Sequence, residues 1–158
     1  MLKIKVRAGE NGKIFGGVTS KEISDGLKRD YNIDIDKALY NFTIPKLLLQ
    51  PLVENALVHG IRGKRGKGRI SVTGRLEGGN IVFCVTDDGV GMDEEKLYNL
   101  RKASVAGSTQ SANIAAFGVG NVNERIHIYY GENYGLFFKS QPDVGTTARV
   151  LIPARNVS

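Results

Sequence analysis

The 158-residue chain contains one cysteine, four prolines and no tryptophan. A single thiol, Cys84, excludes an internal disulfide framework, so the fold has to rest on a hydrophobic core. Its setting, Ile81-Val82-Phe83-Cys84-Val85, reads as an apolar strand, where a free cysteine behaves as a small hydrophobe rather than a nucleophile. No apolar run approaches the roughly 20 residues of a membrane span, and no signal peptide opens the sequence, so the sequence reads as a soluble protein of the cytoplasmic type. No internal repeat is evident. A length of 158 residues suits one α/β domain with a real core, or a domain plus a small appendage, and 41% hydrophobic with 24% charged residues are globular values. The net charge is +6, part of it in the run from Arg62 to Arg69. That run holds no aromatic residue to stack on bases. Its glycines fit a solvated loop, and its charge fits an attraction for phosphate or nucleic acid, so both readings stay open.

Along the chain, residues 2–6 alternate like a strand, 8–12 are turn chemistry and 13–18 suit a second strand. Thr19 or Ser20 can cap a helix over 21–28, and 31–35 reads as a further strand. Pro45 fits the first turn of a helix running to Gly60, which then has to bend at Pro51. Leu48, Leu49 and Leu52 give that helix a buried face, while Glu54, Asn55 and His59 share a face toward a cleft. Residues 70–76 and 81–86 read as strands joined by the hairpin turn Glu77-Gly78-Gly79-Asn80. The second strand delivers Asp87 to its end, just before a glycine turn. Residues 93–100 form a capped helix with acids in its first turn. The small and polar residues of 103–116 suggest a mobile loop. Phe117 opens a further helix whose N-terminal N–H groups form an anion site, and 134–140 with 147–152 form a closing strand pair.

Three groups of residues in this order carry chemistry. The first is Gln50-Pro51-Leu52-Val53-Glu54-Asn55 with His59-Gly60, the second Asp87-Asp88-Gly89-Val90-Gly91, the third Phe117-Gly118-Val119-Gly120-Asn121 continued by Val122, Arg125 and Ile126. An acid–amide pair on a helix and two separated glycine turns suggest a nucleotide site with a metal. A carboxylate at a strand end suits the exocyclic amine of a purine, since it only accepts hydrogen bonds. An asparagine carbonyl suits a hard cation that screens a polyphosphate. Glycines let backbone approach a ligand without a Cβ in the way.

From about Ile35 to Pro153 the chain resembles the ATP-binding domain of sensor histidine kinases of the LytS/YesM type, in the GHKL superfamily. The resemblance implies a two-layer α/β sandwich of the Bergerat type, with a mixed, mainly antiparallel sheet and helices on one face. It implies ATP and Mg2+ as cofactors. It places Asp87, Gly89 and Gly91 at adenine, joined by Thr146 of Gly145-Thr146, and Asn55 on the metal. It puts Glu54 beside the attacking group as the catalytic carboxylate, and Gly118, Gly120 and Asn121 near phosphate under a lid formed by 103–116. His59 touches phosphate or satisfies backbone groups at the helix end, and Arg125 contacts phosphate or forms a salt bridge; neither choice is made by sequence. Asp88 stands where the family often has asparagine, and Ala116 replaces one family glycine. The resemblance further implies partners: a dimerisation helix carrying the phosphoacceptor histidine, absent from these residues, and a response regulator. The parent protein would be anchored in the membrane, this part making no membrane contact and not phosphorylating itself.

The stretch Ala8-Gly9-Glu10-Asn11-Gly12-Lys13-Ile14-Phe15-Gly16-Gly17-Val18 with Thr19 to Ile23 resembles the C-terminal domain of bacterial large-subunit ribosomal protein nine. It implies a chimera: a ribosomal-type β-β-α-β fragment over 1–36 and a kinase-type domain over 37–158, joined between Tyr31 and Ala38. Ile33 and Ile35 are expected to pair with the main sheet. Rival readings are an RNA-binding module, a chimeric scaffold with an impaired cleft, and a related serine kinase or chaperone-type ATPase.

Overall fold

The computed structural model describes residues 29–45, 48–106 and 114–155. The strands and helix expected within 2–28 lie outside these residues.

Among the described residues, five strands form one sheet in the order β1-β2-β3-β5-β4: β1 (Arg29–Ile35), β2 (Gly68–Glu77), β3 (Asn80–Asp87), β4 (Gly135–Gln141) and β5 (Gly145–Pro153). Only the β1–β2 pair is parallel. Alternation in the sequence decides which face is covered. Val72, Phe83, Val85, Leu136, Phe138, Ala148 and Val150 point to one face and are buried, whereas Thr86, Phe137, Lys139 and Arg149 on the other are exposed. The β2–β3 turn is Gly78-Gly79, both with positive φ, as a two-residue hairpin demands. Cys84 is half-buried on the outward face, and its burial pushes the thiol up despite Arg149 and a hydrogen bond with Thr73, keeping it unreactive.

Strand β1 is fastened by a gap. Gly74 lacks the Cβ that would lie 2.9 Å from both Ile35 Cδ1 and Phe83 Cε1, so Ile35 reaches across it to Phe83. Ile33 and Ile35 pair with Val72 and Gly74. Asp34 adds an ion pair with Arg75, whose Nη1 also donates to the Asp34 carbonyl at 2.9 Å. A short 3-10 turn, Lys37–Asn41, follows, with the Asp36 carboxylate accepting from the Ala38 N–H.

The inner face is covered by α1 (Gln50–Asn55), extended by a π-helical turn over Ala56–Ile61, and by α2 (Glu94–Ala106) and α3 (Ile114–Tyr130). Leu48, Leu49, Leu52, Val119, Val122 and Ile126 carry the helical side of the core, all at most 2% exposed. Burying each such side chain contributes about 1.5–3 kcal/mol.

Three expectations change. The helix begins at Gln50, so Pro51 occupies its first turn, where the missing N–H breaks no bond and no bend is needed; Pro45 lies outside it. Residues 103–106 form the last turn of α2 instead of a loop. They are held because the Ser104 carbonyl accepts from Asn123 Nδ2 at 3.0 Å, while Asn123 Oδ1 accepts from the Leu136 N–H at 2.8 Å. Residues 107–113 lie outside those described. Helix α3 opens at Ile114 rather than Phe117, so Gly118 and Gly120 are helical, which costs about 1 kcal/mol each and is tolerated.

Candidate functional site

Asp87 ends β3 and pairs with Ile70 and Thr146 on the flanking strands. It is 5% exposed, a carboxylate on the covered face of the sheet. Its surroundings are hollowed out by glycine. A Cβ on Gly60 would lie 2.5 Å from Asp87 Oδ1, one on Gly89 would lie 2.3 Å from the Gly60 carbonyl, and one on Gly145 would lie 1.9 Å from the Asp87 carbonyl. Gly91 and Gly145 also have positive φ. Glycine here is a requirement of space, not of flexibility.

Burial pushes the Asp87 carboxyl above the ordinary value of 3.8; the backbone N–H groups of Gly89 and Thr146 oppose the rise, Asp88 adds to it, and Lys64 opposes it. Oδ1 accepts the Gly89 N–H at 2.9 Å. Next door, Asp88 goes the other way: burial raises it, but the Arg69 N–H at 2.8 Å and the Lys64 ammonium at 2.9 Å win and hold it down. That pairing anchors the basic loop to the turn. The Val90 N–H donates to the Gly60 carbonyl at 3.1 Å, locking turn to helix.

Thr146 is oriented by Ser140. The Ser140 hydroxyl donates to the Gly145 carbonyl at 3.0 Å and accepts the Met92 N–H at 2.8 Å. With its proton committed, it accepts from the Thr146 hydroxyl at 2.8 Å, leaving Thr146 lone pairs for an incoming donor.

The opposite wall is α1 and its π turn, in which the Arg62 N–H reaches back five residues to the Leu57 carbonyl at 3.0 Å. Single π turns recur at functional sites. Between the walls lies a cavity of about 430 Å³. It brings together the expected Asn55, His59, Asp87, Gly91 and Thr146, with Gly60 beside them. Gly89 shapes it from behind Asp87. Glu54 is exposed, its carboxylate accepting from Gln50 Nε2 at 2.8 Å, and does not line the cavity. Gly118, Gly120 and Asn121 lie along α3 and do not line it either. His59 is exposed at the rim.

Sequence reasoning gave no site role to Val90, Met92, Lys96, Asn99 and Leu100, which also line the cavity. The signal was present: 92, 96, 99 and 100 follow helical spacing, one stripe along and just ahead of α2. Ser140 was missed because its role is visible only through tertiary partners.

The fold and site define a class, and comparison with known proteins agrees. The family model described as "Histidine kinase-, DNA gyrase B-, and HSP90-like ATPase" matches residues 43–156, and the chain belongs to this family. It is 32% identical to the sensor histidine kinase YesM of Bacillus subtilis over 126 residues, which is 80% of this chain and 20% of that protein. It is 35% identical to the sensor histidine kinase YpdA of Escherichia coli over 141 residues, 89% of this chain and 23% of that protein. The chain thus spans under a quarter of either relative. The catalytic domain of histidine kinase ThkA shares the fold, with TM-score 0.61, 13% identity and coverage of 88% of this chain and 87% of that one. So does the histidine kinase domain of the blue-light-activated kinase of Erythrobacter litoralis, with TM-score 0.58, 18% identity and coverage of 89% and 59%. A second family model, "Ribosomal protein L9, C-terminal domain", matches residues 1–46. The chain is an ATPase catalytic domain of the histidine kinase type. Among the described residues no helix is long and apolar enough to cross a membrane.

Proposed function

We propose that this domain binds Mg-ATP in the cavity between β3 and α1 and presents the γ-phosphoryl group to a histidine carried on a separate helix. The carrying observation is the buried Asp87 carboxylate at the cavity floor, with one oxygen engaged by Gly89 and glycine-made space around it. A buried carboxylate is costly without donors. The exocyclic amine of adenine supplies one, and the Thr146 hydroxyl, with Ser140 behind it, supports a second contact.

Asn55 is the proposed metal ligand. Its side chain lines the cavity and hydrogen-bonds to no other described residue, and a neutral oxygen donor fits Mg2+, which takes most of its ligands from phosphates and water. Among the described residues no group of three or more His, Cys, Asp or Glu could hold a metal on its own, so the phosphates would have to complete the site. When bound, the ion would neutralise charge on the phosphates. Glu54, exposed beside Asn55 and steadied by Gln50, is the carboxylate proposed to orient the incoming acceptor. Phosphoryl transfer depends mainly on positioning and electrostatics, so the protein's task is alignment. The proposed phosphate contacts of Gly118, Gly120 and Asn121 require their N–H groups to leave the intrahelical bonds of α3, since only the first turn of a helix has free donors.

We also propose that residues 1–36 are a ribosomal-type segment whose last strand completes the sheet, the kinase-type domain running over 37–158, and that a response regulator receives the phosphoryl group downstream. The parent protein is proposed to be membrane-anchored, and residues 1–158 by themselves to bind ATP without phosphorylating themselves.

Titration with ATP and Mg2+ tests the site. Asp87→Asn should abolish measurable binding, and Asn55→Ala should remove the dependence on Mg2+ while adenosine still binds. Affinity that ignores both substitutions would sink the reading.

A further inference from the structure

The cavity has two ends of different character. Its closed end holds the buried Asp87 and Gly60, with half-buried Val90, Met92 and Leu100 as apolar walls. Exposed polar side chains stand at its open rim: His59 from the π turn after α1, and Lys96 and Asn99 from α2. A nucleotide has the same polarity, a flat base that prefers burial and a charged tail that prefers water and cations. The wall opposite α1 therefore meets the tail with α2, an element that neither the glycine turns nor the acid–amide helix includes.

We propose that Lys96 is a specificity-determining residue of this site, the cation that α2 contributes to the nucleotide's phosphates, with Asn99 one helical turn further on as a neutral donor beside it. The inference rests on the proposed reading of the cavity as a nucleotide site and adds what distinguishes triphosphate from nucleoside. Lys96 is free to do this. Its ammonium is at present 3.5 Å from the Asp93 carboxylate, with the two side chains 72% and 52% exposed. An exposed pair of this kind is worth little and is readily exchanged for a polyphosphate. The backbone does not have to move, because the Lys96 N–H is fixed by the Asp93 Oδ1 cap at 2.8 Å. Asp93 thus plays two parts: it anchors the start of α2 through one oxygen and holds the ammonium at the rim through the other. The flexible lysine stem then swings between carboxylate and phosphate about a fixed Cα.

The groups around Lys96 sharpen the point. Among the described residues lining this cavity Asp87 is the one carboxylate, and it lies at the closed end; Asp93 is the acid paired with Lys96 that a bound phosphate would displace. On the facing wall His59 is a second donor.

The test is a matrix of affinities for ATP, ADP and adenosine against the parent, Lys96→Met, Lys96→Arg and Asp93→Asn, each checked by thermal unfolding. Lys96→Met should weaken ATP about tenfold, as expected for a charged hydrogen bond, ADP less, and adenosine less than about twofold. Lys96→Arg should restore most of the loss. Asp93→Asn keeps a capping oxygen and removes the competing charge, so ATP should bind as well or a little more tightly. An equal loss for adenosine and ATP, or no loss at all, overturns the proposal. Asp87→Asn separates the two levels: if it abolishes adenosine binding while Lys96→Met spares ATP, only this inference fails; if adenosine binding ignores Asp87→Asn, the nucleotide reading fails with it.

Discussion

Two regions of the molecule carry paired glycines, and the glycines mean different things. At the strand end, Gly60, Gly89, Gly91 and Gly145 stand where a Cβ would meet heavy atoms at 2.5, 2.3, 1.8 and 1.9 Å. In α3, the nearest described atom to a Cβ on Gly118 would be Pro51 Cβ at 3.9 Å, an ordinary contact. The first set makes a cradle that no other residue could form. Gly118 leaves its helix weaker than it needs to be. A glycine motif therefore signals a rigid site in one place and a conformational reserve in the other, and only the surrounding atoms tell which.

The comparison can be broken most forcefully at Gly145. Gly145→Ala adds a methyl group 1.9 Å from the Asp87 carbonyl at φ 131°, so we expect loss of at least about 3 kcal/mol of stability, or failure to fold, read by chemical denaturation. A mild effect there would show that the strand end is softer than described. Next in size is Asp87→Asn, which should cost all measurable ATP affinity while leaving the fold as stable or more so at neutral pH. The sign follows from the raised carboxyl. A folded-state value above 3.8 means the native state holds its proton longer, so this group's contribution is most favourable at low pH and declines as pH rises through the window above 3.8. Asp88, held below 3.8, contributes stability that is lost as pH falls through its lowered value, so Asp88→Asn should flatten the acid limb of the stability curve while Asp87→Asn flattens the limb above 3.8. The smallest effect belongs to α3. Gly118→Ala should stabilise the domain by up to about 1 kcal/mol through helix propensity alone. If it also weakens ATP binding, opening of the first turns of α3 is part of nucleotide capture.

What could be read from sequence followed local rules. The hairpin at Gly78-Gly79 and the strand carrying Asp87 are fixed by alternation and turn chemistry and stand as expected; Leu48, Leu49 and Leu52 are buried as expected, with Leu48 and Leu49 just ahead of α1. The family resemblance supplied what local rules could not, the pairing of Asn55 with Asp87 across one cavity. The misplaced boundaries share a cause. The end of α2 looks like a loop in sequence because Ser104 and its neighbours are small and polar; it is helical because Asn123, 19 residues away, takes up the Ser104 carbonyl. Pro51 looked like a kink because an earlier proline seemed to start the helix, and the choice between two prolines is not local. Lys96 and Asn99 are legible in sequence as members of a capped helix and no more, because nothing in a single helix shows what faces it.

Among the described residues β1 lies at one end of the sheet, and this bears on how such a domain can be assembled. Residues Arg29–Ile35 touch the sheet through β2, while Asp87 and Thr146 sit on β3 and β5 further in. The attachment of β1 consists of one parallel pairing, Ile35 in the gap at Gly74 with Ile33 packed beside the core, and the Asp34–Arg75 pair. For the proposed joining of a ribosomal-type segment to a kinase-type domain, the demand on that segment is an extended stretch with aliphatic residues in register with β2, two strands away from Asp87.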